Sequence, residues 1–172
     1  MLILLPAHIS FACYVAGIAA RSRGGTSSLF FRLFWFAGAI LLAVHSGLAF
    51  AYVHGGDHAA AFEHTARRTA EFTGWNSGVG LYANEVMLVL WLADAFWALA
   101  APASYLERPA AIDIGLQAFF AFMFFFATIA FGTLPAQILG GLGCVVLAVV
   151  GLMPAREEEE ESESPSPREK RK

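Results

Sequence analysis

The chain has 172 residues; 58% are hydrophobic, 14% aromatic and only 15% charged, with a formal net charge of −3. Soluble domains carry about 25% charged residues, so the composition argues against an ordinary soluble domain. With no basic surface interleaved with aromatics, it also argues against a nucleic-acid partner.

The charges cluster at residues 21–32, 54–71 and 107–113 and after Met153, and long runs between them are nearly free of charge. A helix on a soluble surface shows polar residues every few positions. These runs do not, and the fold class they predict is an all-α integral membrane protein with several spans. Cys13 and Cys144 both lie inside apolar runs, which predicts buried thiols rather than a disulfide framework or a cysteine-based zinc site.

The first span is expected at residues 2–20. It lacks a basic leading region and a small-residue cleavage site, so it reads as a retained span rather than a signal peptide. The second, 33–53, runs from Arg32 to His54-Gly55-Gly56. His8 in the first span lies about 10 Å from its outer end and His45 in the second about 13 Å. Two neutral imidazoles at matched depth on sequential helices meet the requirement for bis-histidine ligation of haem b.

Residues 57–73 are expected to form an extracytoplasmic amphipathic helix, capped by Asp57 and stopped by Gly74. His58, Phe62, Thr65, Thr69 and Phe72 share one face; His64, Arg67, Arg68 and Glu71 share the other. Such a helix lies on the membrane surface, over the mouth of the bundle. His54, His58 and Glu85 are the expected ligands of a divalent metal, zinc or copper, with Asp57, Glu63 and His64 nearby.

The third span, 81–101, is closed by Pro102. It carries Asn84, Glu85 and Asp94, and polar groups inside a membrane are functional candidates. Asn84, Met87, Trp91 and Asp94 follow a heptad-like stripe, which predicts that Asn84 and Asp94 share an inward face. His45, Asn84, Glu85 and Asp94 together also read as a relay for protons or a small solute.

The apolar run 114–153 would be roughly 60 Å long as one helix, about twice the thickness of the hydrocarbon core. It is expected to fold back at Gly132-Thr133-Leu134-Pro135, giving a fourth span at 114–131 and a fifth at 136–153. The fourth has phenylalanines around its circumference, as a lipid-facing helix would; the fifth has Gly140, Gly141 and Gly143, which permit close approach of a neighbour. Residues 154–172 are charged and lack apolar groups to bury, and are expected to be a disordered cytoplasmic tail.

Cytoplasmic loops are enriched in Lys and Arg. Five spans with an extracytoplasmic N-terminus place Arg21, Arg23, Arg32, Arg108 and the C-terminus inside. Trp35 and Tyr105 are then expected at the inner interface, and Tyr52, Trp75 and Tyr82 at the outer one. Internal repeats, nucleophile–histidine constellations and phosphate-cradling loops are not evident, which argues against an enzyme. The functional expectation is a small membrane scaffold or complex subunit, partnered by the lipid bilayer and by other membrane proteins or further copies of itself. Metal or haem binding and the relay are the alternatives.

Overall fold

The computed structural model describes residues 2–152; the tail 154–172, expected to be disordered, lies outside the described residues. Seven α-helices make up the described chain, with no strand among those residues. After a single 3₁₀ turn at Leu2–Leu4 come α1 (Leu5–Gly24), α2 (Leu29–Leu48), α3 (His58–Thr73), α4 (Gly80–Ala100), α5 (Pro102–Leu106), α6 (Ala110–Phe125) and α7 (Leu134–Leu152). α2 and α6 each continue into a π-helical turn, at Ala49–Val53 and Phe126–Ala130.

Among the described residues three helices are long and apolar enough to cross a membrane: Leu29–Val53, Gly80–Ala100 and Ala110–Ala130. At 21–25 residues each matches a core of about 30 Å at 1.5 Å per residue. The chain folds back between the last of these and α7, whose apolar stretch Leu134–Val150 is shorter.

Local chemistry sets the boundaries. Asp57 caps α3 by accepting from the Ala59 N–H at 2.8 Å, and Gly74 ends the helix at a φ of 76°, a left-handed conformation that glycine adopts without steric cost. Pro102 opens the short α5, and Pro109 precedes α6; a proline needs no intrahelical N–H partner at a helix start. Asp113 occupies the first turn of α6, where a carboxylate meets the positive end of the helix dipole. That is why α6 begins at Ala110 and not at 114: the charge belongs to the helix. α2 likewise takes Arg32 into its first turn and starts at Leu29.

An aromatic cluster fills the centre. Tyr14, Trp35, Trp91, Phe120 and Phe124 form a chain of ring contacts with centroids 4.8–6.1 Å apart, the tilted and edge-on geometries such rings prefer. The phenylalanines of α6 therefore divide. Phe120 and Phe124 are core, while Phe122 and Phe125 are exposed.

α1, α2 and α4 close together at Gly38, whose carbonyl accepts from the fully buried Ser10 hydroxyl at 2.8 Å. A Cβ at Gly38 would stand 2.7 Å from the Trp91 ring. Gly38→Ala should therefore lower the thermal unfolding midpoint in detergent, with a cost of about 1–3 kcal/mol for overpacking. Gly141→Ala, where a Cβ meets nothing within 4 Å, should leave it unchanged.

Candidate functional sites at the two ends of the bundle

The chain's polar side chains gather at opposite ends of the bundle. At one end, Asp94 of α4 is buried, 4% exposed. Its Oδ2 accepts from Trp35 Nε1 at 2.7 Å and from the Tyr105 hydroxyl at 3.0 Å. Arg108 binds its other oxygen at 2.5 Å, and also binds Asp113, which in turn takes both terminal nitrogens of Arg21. The Arg108 side chain is only 4% exposed, and its guanidinium carbon sits 4.0 Å from the centre of the Tyr105 ring. Two guanidiniums and two carboxylates leave the network formally neutral.

This network corrects two expectations. Trp35 and Tyr105, read as interfacial anchors, are 0% and 1% exposed. They are interior donors, drawn in because Asp94 needs hydrogen bonds where water is absent. Asn84, expected to share an inward face with Asp94, is exposed and makes no side-chain hydrogen bond among the described residues. Met87 and Trp91 of the same stripe do point inward, and at the start of α4 the packed face passes through Ala83 and not Asn84. The signal for Arg108 was present but unused: a cation fourteen residues after a buried carboxylate, across a proline-punctuated turn.

At the other end, α3 packs along the side chains expected from its periodicity. His58 Nε2 meets Glu85 at 3.0 Å and its ring lies 5.8 Å from Tyr82. Phe62 contacts Tyr82 and fills the space over Gly78. Phe72 contacts Phe131, and Arg68 donates to the Phe131 carbonyl at 2.8 Å. On its opposite side His64 meets His54, ring centroids 5.2 Å apart at 68°. His54, expected to share a metal with His58 and Glu85, is thus brought to His64 instead. Among the described residues no group of three or more His, Cys, Asp and Glu side chains could hold a metal ion.

His45 and His8, the expected haem ligands, are both partly buried. His45 Nδ1 donates to the Ile3 carbonyl at 2.8 Å, which ties the 3₁₀ turn before α1 to α2. An apolar recess of about 340 Å³ between α1, α6 and α7, lined by Phe11, Tyr14, Phe124, Thr128 and Cys144 among others, lies apart from both polar clusters.

No protein family, characterised protein or solved structure matches the chain.

Two measurements follow from these geometries. Removing one partner of a buried ion pair leaves the other charge uncompensated, at about 3–5 kcal/mol. Asp94→Ala should lose that much in detergent unfolding, and Asp94→Ala with Arg108→Met should recover part of it. At the other end, burial and then the neighbouring His64 lower the pKa of His54 below its ordinary 6.5. The folded state therefore favours neutral His54. Its contribution to stability is complete above the unfolded value and is lost as pH falls through the folded one. NMR titration should place His54 below 6.5, and His64→Gln should raise it partway back, since burial remains.

Proposed function

We propose that this chain is a small multi-pass membrane scaffold or complex subunit that meets a membrane-protein partner along the exposed side of α4. The observation that carries this reading is that the one buried carboxylate among the described residues is held by three donors and sealed off by aromatic packing. Asp94, the deepest carboxylate, is already engaged by Trp35, Tyr105 and Arg108. Trp91 and Met87 fill the space between it and the other end. A relay needs ionisable groups that can exchange protons along a path, and the aromatic core interrupts that path.

The surface offers more. Asn84 lies about 6 Å beyond the start of α4 at 1.5 Å per residue, exposed and without a side-chain partner among the described residues. An amide at that depth favours a hydrogen bond across a helix–helix contact. Val86, Val89 and Phe96 are exposed about 120–160° around the helix from Asn84 and offer a separate apolar contact on the other side of α4.

The reading uses five spans, α1, α2, α4, α6 and α7. α1 and α7 pack beside each other and α1 packs along α2. The arginine end, with Arg21 and Arg108 meeting at Asp113 and Arg23 and Arg32 close by in sequence, is the cytoplasmic one by the rule that basic loops stay inside. On this reading α3 and the N-terminus lie outside and the C-terminal tail lies in the cytoplasm.

Gentle solubilisation of native membranes followed by native electrophoresis tests the reading. The expected result is a discrete complex well above the 18.5 kDa of the chain, dissociated by Asn84→Leu. Migration as the free chain, or a proton or solute flux in proteoliposomes that Asp94→Asn abolishes, would overturn it.

A further inference from the structure

The pair formed by His54 and His64 is not used by the contacts that seat α3. Those run through His58, Phe62, Thr65, Arg68 and Phe72 on the sides facing α4 and the end of α6. His64 projects from α3 six residues after His58, about 120° around the helix, and faces the end of α2.

We infer that His54 and His64 form a two-imidazole site for a borderline divalent transition-metal ion, zinc or copper. The spacing is the first reason. With metal–nitrogen bonds of about 2.0–2.1 Å, two imidazoles on one tetrahedral ion have ring centres about 5 Å apart. Here the separation is 5.2 Å. The rings are inclined at 68°, not stacked face to face. His64 is exposed, and the terminal torsion of histidine is broad, so its nitrogens can turn toward a shared ion without moving the backbone.

The mounting is the second reason. His54 ends the π-helical turn of α2, where its N–H bonds to the Ala49 carbonyl at 3.2 Å and its own carbonyl accepts from the Asp57 N–H at 3.1 Å. Gly55 and Gly56 follow in the left-handed region, φ 63° and 75°. This compact turn sets His54 against a helix that begins four residues later at His58. Histidine pairs held by two separate rigid elements lose little freedom on binding.

The third reason is the open coordination that the pair leaves. No third His, Cys, Asp or Glu side chain completes the set among the described residues. The other coordination positions therefore fall to water or an incoming donor, which makes this an open site and not a closed structural one. Affinity should follow the usual order, copper above zinc.

The experiment titrates the full chain, in detergent at about pH 8, above the ordinary histidine range, with Zn²⁺ by calorimetry and with Cu²⁺ by electron paramagnetic resonance. The expected result is one ion per chain with two coordinated nitrogens in the copper spectrum. Outer-shell partners alone contribute about 10–100-fold to metal affinity, so His54→Gln and His64→Gln should each weaken binding at least tenfold, while His58→Gln leaves it unchanged. Each variant is checked for an unaltered helical spectrum; if His54→Gln alone disturbs the turn, the exposed His64→Gln decides. Absence of saturable binding overturns the inference. Binding that survives loss of both residues, or that disappears with His58→Gln or Glu85→Gln, overturns it as well.

Discussion

The contact between Arg108 and Asp94 governs the rest of the architecture. A carboxylate on a membrane-compatible helix is tolerated only with partners, because its charge cannot be left bare in an apolar interior. Asp94 collects these partners from three separate elements, α2, α5 and the turn before α6. Through Asp113 the network reaches Arg21 on α1. Four charges and two aromatic donors thereby fix the mutual position of most of the helices at one end. The apolar side chains higher in the bundle, which pack without direction, need only fill the volume that this end defines.

The aromatic cluster above this network does the filling. Lipid tails are as apolar as the helices, so burial alone does not draw membrane helices together; close packing does. The meshing of Trp91 with Gly38 is such packing, since a flat indole can approach the backbone only where no Cβ stands. The Ser10 hydroxyl reinforces the same crossing with a bond to the Gly38 carbonyl. Polar anchoring at one end and ring packing in the centre therefore play different parts: the first sets orientation, the second sets distance.

Much of this was legible in the residues. Runs of apolar side chains located the helices, Asp57 and Gly74 marked the ends of α3, and the 3.6-residue period of Phe62, Thr65 and Phe72 identified its packed side. Two features escaped. Trp35 and Tyr105 are amphipathic rings near span ends, and at such positions an interfacial anchor and a buried donor have the same local pattern; only the location of Asp94 in space separates them. The partner of His54 escaped because helical spacing relates residues within one helix, whereas His54 lies beyond the end of α2 and meets α3 across a glycine turn.

The π-helical turns at the ends of α2 and α6 lie at the α3 end of the molecule, away from the arginine network. A π turn amounts to one residue more than an α-helix would use for the same advance. The turn at Ala49–Val53 therefore acts as a vernier between a rigid helix and the first residue beyond it. Deleting a single residue there would restore the regular winding over about the same advance, so His54 would keep its place beside α3 and every helix upstream would stay in register. Loss of one residue in this segment is thus a milder alteration than substitution of His54.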